Sequence, residues 1–267
     1  MPKIRLDVLL VERGLADSRA KAQALIMAGQ VRVNDQVALK PATATDTKST
    51  LTVDSGPRFV SRGGEKLEGA LNVFTMDVKG FVCADVGSST GGFTDCLLQH
   101  GAAKVYVIDV GKGILHWKLR NDKRVVVMEE TNARFVESLP EKIDFVTVDA
   151  SFISLKVLLP TIKKWVSKQT QLICLIKPQF EAGRKDVSRG DGVIRNPKIH
   201  RQVLLDVLNY AKSEGFGLRG LVRSSLLGPK GNTEFLLWMD LKPNDSSVEE
   251  MVNHLMGEEI ASDGNLA

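Results

Sequence analysis

The chain has 267 residues, is 43% hydrophobic and 25% charged, and carries a net charge of +4 with three cysteines and four histidines. That composition suits a folded chain with one large domain beside a small one. It rules out a disulfide framework, shows no Cys/His spacing suited to zinc, and contains neither an apolar signal core nor a stretch long enough to span a bilayer. A cytoplasmic setting is therefore expected, with no membrane and no metal.

Residues 1–56 read as a small α+β domain. Arg5–Arg13 has helical apolar spacing and stops at Gly14. A second helix, Arg19–Ala28, is capped by Asp17 or Ser18, buries Ala22, Leu25 and Ile26, and stops at Gly29. Gln30–Val37 alternates around Asn34-Asp35 as a hairpin, and Ser49–Val53 adds a last strand. Ser55-Gly56-Pro57 breaks the pattern, and residues 57–62 are expected to form a linker to a larger second domain.

Residues 63–243 alternate apolar strands with helices, the pattern of an α/β fold with a mostly parallel sheet. Strands are expected at Phe81–Val86, Lys104–Val110, Arg124–Glu129, Ile143–Val148, Gln171–Ile176, Leu218–Ser224 and Glu234–Leu241. Helices are expected at Gly64–Phe74, Phe93–His100, Gly113–Leu119, Leu155–Ser167 and Pro197–Ser213. The last two strands are joined too closely for a crossover helix, so the seventh strand must run antiparallel. The remaining 24 residues, 244–267, carry −6, which leaves +10 on residues 1–243 and favours a polyanionic partner. In this acidic tail Val248, Met251, Val252 and Leu255 form a helical stripe, so the tail is either a short amphipathic helix or disordered.

The run Asp85-Val-Gly87-Ser88-Ser89-Thr90-Gly91-Gly92-Phe93 follows the first of these strands and opens a helix. Glycines there let the backbone approach a ligand, and a helix N-terminus favours a carboxylate. The spacing is not that of a dinucleotide site. Asp85 suits a ligand bearing an amino group or a sulfonium. Asp109, ending the next strand, is placed to accept ribose hydroxyls. Asn132 either meets an adenine edge or caps the following helix. For any single glycine, a tight turn is explanation enough.

Four charged residues stand at element ends: Lys66, Asp149, Lys177 and Glu234. Charges beside apolar runs are costly unless exposed or paired. Two cations and two anions converging on one crevice suit methyl transfer to a hydroxyl, which must lose its proton as it attacks. Lys177 is assigned as the base, and Lys66 as the second cation that favours its neutral form and orients the hydroxyl. Asp149 would align the methyl donor, and Glu234 would hold a lysine.

The quartet resembles the Lys-Asp-Lys-Glu tetrad of FtsJ/RrmJ-type 2′-O-methyltransferases. The chain from Arg5 to about Leu241 resembles the TlyA family of ribosomal RNA methyltransferases, also labelled haemolysins. The resemblance rests on Arg5-Leu-Asp, Val60-Ser-Arg-Gly-Gly-Glu-Lys66-Leu, Asp85 through Thr94, Leu119-Arg-Asn-Asp122, Thr131-Asn-Ala-Arg134, Asp149-Ala-Ser-Phe-Ile-Ser-Leu155, Lys177-Pro-Gln-Phe-Glu181 and Gly228-Pro-Lys-Gly-Asn-Thr-Glu234. It implies a Rossmann-like class I methyltransferase domain and an N-terminal domain like ribosomal protein S-four. It also implies S-adenosylmethionine as donor and 2′-O-methylation of a cytidine in ribosomal RNA, free or in ribosomal subunits. The RNA is expected to meet Arg5, Arg13, Arg19, Lys21 and Arg32, then Arg58 of the linker, and Arg184 and Lys185 of the Gly-rich segment 181–192. Each of these is equally readable as a solvated charge.

A base methyltransferase is disfavoured because Asp149-Ala-Ser-Phe152 lacks the expected prolines and Cys83 and Cys174 are poorly placed as nucleophiles. A non-catalytic RNA-binding or ribosome-assembly factor is disfavoured by the intact quartet. A haemolysin is suggested by the label alone.

Overall fold

A computed structural model describes residues 2–54, 56–183 and 192–263, the side chains of 258–263 excepted. The chain divides into two compact units, residues 1–58 and 59–267.

In the first unit, β1 (Lys3–Arg5) leads into α1 (Leu6–Glu12), and α2 (Arg19–Met27) is capped by the Ser18 hydroxyl. β2 (Val31–Val33) and β3 (Gln36–Ala38) form the expected hairpin, with Asn34 and Asp35 both at positive φ in its turn. β4 (Ala44–Asp46) pairs with β1, a two-stranded sheet that three-residue strands gave no periodicity to foresee. β5 (Leu51–Val53) joins β2. Leu6, Leu9, Leu10, Ala22, Leu25 and Ile26 close the core between α1, α2 and the sheet.

The second unit is built on one seven-stranded sheet. Its elements are α3 (Gly63–Val73), β6 (Val82–Val86), α4 (Gly92–Gln99), β7 (Lys104–Ile108), α5 (Trp117–Arg120), β8 (Val125–Met128), β9 (Phe145–Val148), α6 (Leu155–Ile162), β10 (Gln171–Ile176), α7 (Pro178–Glu181), α8 (Pro197–Ser213), β11 (Gly217–Arg223), β12 (Phe235–Asp240) and α9 (Val248–Asp263). The sheet order is β11-β12-β10-β9-β6-β7-β8, and β12 runs antiparallel to both of its neighbours. Side chains alternate between two buried faces: Tyr106 and Ile108 pack on one side of β7, Val105 and Val107 on the other. Helices α3 and α4 cover one face and α6, α8 and α9 the other, so most strand residues are apolar.

Some boundaries differ from expectation. The helix expected at 113–119 begins only at Trp117, where His116 accepts from the Lys118 amide. The residues before it form a loop, because Gly113 is left-handed and the Leu115 amide goes to Glu129. The helix expected to reach Ser167 ends at Ile162, after an internal Pro160; Trp165 is buried with its indole donating to the Val136 carbonyl. Val248–Asp263 of the acidic tail is helical, and Val248, Val252 and Leu255 bury against the larger core cluster. Among the described residues, no helix is long and apolar enough to cross a membrane.

Candidate active site

The strand order reverses between β6 and β9, since β6 leads outward to β7 and β8 while β9 returns on its other side. Open α/β sheets bind ligands at such a switch point, beyond the carboxyl ends of the strands. A cavity of about 1200 Å³ opens there. Lys66, Asp149, Lys177 and Glu234 all line it, drawn from α3, the end of β9, the end of β10 and the start of β12.

The four form two ion pairs. Lys66 Nζ lies 2.5 Å from Glu234 Oε2, and both side chains are almost fully buried. Taking two charges from water costs several kcal/mol each, so neither would rest here without its partner. Gly228 makes the space: a Cβ on it would stand 2.4 Å from Glu234 Oε1. Lys177 Nζ lies 2.5 Å from Asp149 Oδ1 and also donates to the Asp149 carbonyl at 3.3 Å and to Ser151 Oγ at 3.0 Å. The lysine expected to neighbour Lys177 is thus paired with Glu234, and the acid expected to align a donor is paired with Lys177.

The glycine turn is held from several sides. Gly87, at φ +79°, passes so close to β9 that a Cβ would sit 2.8 Å from the Asp149 carbonyl oxygen and the Ala150 Cα. Asp109 accepts from the Ser89 amide at 2.8 Å and from the Gly111 amide at 2.8 Å, tying the turn to the end of β7. Asp85 is wholly buried in β6, and its oxygens accept from Thr94 Oγ1 at 2.6 Å and Thr147 Oγ1 at 2.9 Å. Burial, above all, pushes its carboxyl up to about 6; the two hydroxyls oppose this and the Asp149 charge adds to it. Gly87, Ser88, Ser89, Thr90, Gly92 and Phe93 line the cavity with Asp85 and Asp109. Gly91 does not, because Leu119 and Leu115 fill the place its side chain would take. Asn132 lines the cavity and its side chain caps the turn at Ala133–Phe135, the second of its two expected roles.

Sequence reasoning passed over several lining residues. Phe152 is 90% exposed, stands at φ +64°, and its ring lies 5.0 Å from that of Phe180. Gln179 also faces the cavity, and its Oε1 is buried without a hydrogen-bond partner, as are Ser88 Oγ and Glu234 Oε1. Ser151 was visible only as a neighbour of Asp149. The motif Asp149-Ala-Ser-Phe152 was the one signal, but an exposed Phe has no mark in sequence that separates it from a core Phe. Glu181 accepts from Ser154 Oγ at 2.5 Å and the Leu155 amide at 2.7 Å, so it cross-links the segment bearing Asp149 to the one bearing Lys177. Burial raises its carboxyl above the usual range.

In the first unit, Arg5 and Arg19 converge on the buried Asp7, and Arg13 donates to the carbonyls of Ser49 and Thr47. Arg32 donates to the Asp35 carbonyl, and Lys21 is exposed. Arg58 ends this unit. Arg184, Lys185 and the adjoining Arg189 lie outside the described residues.

The chain was compared with known proteins. The FtsJ-like methyltransferase family profile matches residues 59–241, and the S4 domain profile matches residues 4–46. The provisionally named rRNA methyltransferase YqxC of Bacillus subtilis is 49% identical over 242 residues, 88% of this chain and 85% of its own length. The 16S/23S rRNA (cytidine-2′-O)-methyltransferase TlyA of Mycobacterium tuberculosis is 46% identical over 241 residues, 89% of this chain and 90% of its own. A solved structure of a provisionally named hemolysin from Streptococcus thermophilus is 40% identical, with a TM-score of 0.71 and 99% of each chain covered.

Proposed function

This chain belongs to the FtsJ-like methyltransferase family, with an S4 domain ahead of the methyltransferase domain, and on that premise we propose that it transfers a methyl group from S-adenosylmethionine to the 2′-hydroxyl of a cytidine in ribosomal RNA, with Lys177 as general base. The observation that carries this reading is the meeting of two Lys–carboxylate pairs, Lys66–Glu234 and Lys177–Asp149, on the wall of one cavity beside a glycine turn. The name of the M. tuberculosis relative supports the 2′-O-cytidine chemistry.

The residues present fit the cofactor. The carboxylates of Asp85, Asp109 and Asp149 line the cavity and suit a cationic ligand, and the partnerless Ser88 Oγ beside Gly87 awaits a polar group. Gly87, Ser88, Ser89, Thr90, Gly92 and Phe93 would hold it, with Asp109 toward its ribose and Asn132 toward its adenine. When bound, S-adenosylmethionine supplies an electrophilic methyl group on a sulfonium.

The chain's own residues handle the proton and the alignment. Lys177 acts in its amine form, its own proton given up to solvent before the step, and takes the hydroxyl proton at Nζ as the oxygen attacks. Asp149 then stabilises the resulting ammonium from 2.5 Å. Lys66, fixed by Glu234, orients the attacking hydroxyl, and this positioning contributes more than any single charge. Phe152 offers an exposed ring on which a splayed base stacks. The S4 domain meets RNA phosphates through Arg5, Arg13, Arg19, Lys21 and Arg32, and Arg58 of the linker adds to an attraction that falls steeply with salt.

The test incubates the protein and methyl-labelled cofactor with each ribosomal subunit and maps the product. Label on a cytidine ribose is expected, and Lys177→Ala should bind cofactor yet transfer nothing. Label on bases alone defeats the 2′-O assignment, and unchanged transfer by Lys177→Ala defeats the base.

A further inference from the structure

Among the described residues, four buried side-chain oxygens on the cavity wall have no hydrogen-bond partner: Ser88 Oγ, Asp149 Oδ1, Glu234 Oε1 and Gln179 Oε1, of which Asp149 Oδ1 still meets the charge of Lys177. A buried acceptor left unpaired destabilises the fold unless a ligand supplies the donor. Ser88 belongs to the glycine turn, and Glu234 already binds Lys66 through its other oxygen. Gln179 stands apart from both. It lies two residues beyond Lys177, in the short helix Pro178–Glu181, and is followed directly by Phe180, whose ring meets the exposed Phe152.

Lys177, Gln179 and Phe180 therefore come from one segment, and Glu181 anchors that segment to the Asp149–Leu155 loop. With Lys177 as the base, its amine marks the place of the ribose 2′-hydroxyl. The nucleobase is joined to that same ribose, so an acceptor on the same short segment and an aromatic face beside it stand where base edges are read. Resting on that functional reading, we propose that Gln179 is a specificity-determining residue that takes the exocyclic amine of the target cytosine. Its carboxamide oxygen accepts from the N4 amino group, and its Nε2–H is free to donate to N3. Uracil brings a carbonyl oxygen to the same place, so the carboxamide would have to turn over to meet it and Oε1 would leave the buried position it holds here. A site built around a buried hydrogen bond rejects a partner that lacks it far more strongly than an apolar pocket rejects a change of size.

The test pairs two enzymes with two substrates. The full-length wild type and Gln179→Leu are each assayed on ribosomal RNA assembled with cytidine, or with the pyrimidin-2-one ribonucleoside that lacks the amine, at the methylated position. The wild type is expected to favour cytidine by about 10- to 100-fold in kcat/KM, and Gln179→Leu by about twofold or less. Gln179→Glu keeps an acceptor and is expected to retain the preference. Cofactor affinity, measured by calorimetry, is expected to be equal in all three proteins. The proposal is overturned if Gln179→Leu discriminates as well as the wild type, or if its only defect is weaker cofactor binding, which would assign the oxygen to the cofactor's amino group. A wild type that methylates no ribose at all defeats the functional reading itself, which separates that failure from this one.

Discussion

Lys66 and Glu234 are 168 positions apart in the chain and 2.5 Å apart in the fold. One comes from the first helix of the catalytic unit and the other from the start of its last strand, so this contact registers the fold's two ends against each other. Removing one partner strands a buried charge. Glu234→Ala is expected to lower stability by about 3–5 kcal/mol. The double variant Lys66→Met/Glu234→Leu is expected to recover most of that loss while remaining inactive. Denaturant unfolding beside a methyl-transfer assay checks both points, and a double variant as unstable as the single one would contradict them.

Asp85 predicts a trade between stability and binding. Its carboxyl is held at about 6, up from 3.8, chiefly by burial. A raised folded value means that this group favours folding most while protonated, and that its contribution is lost as pH climbs from about 4 through about 6. Asp85→Asn is neutral throughout. It should be more stable than the wild type by up to about 3 kcal/mol at neutral pH, with the gain vanishing below about pH 4. Cofactor affinity should fall at least about tenfold, because the ionised acid is the form that suits a cationic ligand. Thermal melts across pH and calorimetry test this; a variant that melts lower at neutral pH refutes it.

Asp7 works in the opposite sense. The Arg5 guanidinium first, then Gln23 and Arg19, hold its carboxyl well below the usual carboxylate range despite its burial. A lowered value gives stability that is present above about pH 4 and lost as pH falls below it. Asp7→Asn is expected to cost the N-terminal unit about 2 kcal/mol at neutral pH, shrinking toward zero in acid. Hydrogen exchange of the amides in α1 and α2 reads that unit separately from the rest. A difference that does not change with pH argues against the charge as its source.

Phe152 is exposed, so truncating it removes almost no packing. Phe152→Ala is expected to leave the melting temperature within about 1 °C while lowering kcat/KM on RNA roughly tenfold or more, since base stacking on an aromatic ring is worth about 1–3 kcal/mol. Phe152→Tyr should retain most of the activity. Equal activity of the alanine and wild-type proteins would remove Phe152 from the site.

The larger strands were legible because both faces of the sheet are covered and their residues are mostly apolar, as in residues 172–176 of β10. Asp149, Lys177 and Glu234 stood out because charge at the end of such a strand is conspicuous, and Lys66 because it opens a helix beside apolar residues. Which carboxylate faces which lysine did not, because pairing depends on how α3 and β12 cross in space. The Gly91 position misled for a related reason. A left-handed glycine before a helix looks the same in sequence whether the space beside it admits a ligand or, as here, Leu119. Phe152 and Gln179 were missed because exposure and an unsatisfied oxygen are properties of surroundings, not of residue type. In the N-terminal unit, three-residue strands such as Ala44–Asp46 are too short to show a period.

The close approach of Gly87 to Asp149 and Ala150 has a consequence for how this enzyme can change. The glycine turn and Asp149 meet main chain to main chain, so their spacing is written in the sheet and not in any exchangeable side chain. Selection can therefore redraw the rim around Phe152 and Gln179 while the spacing of the turn and Asp149 stays put. The same arrangement leaves codon 87 without latitude: even a methyl group there would pry the two strand ends apart.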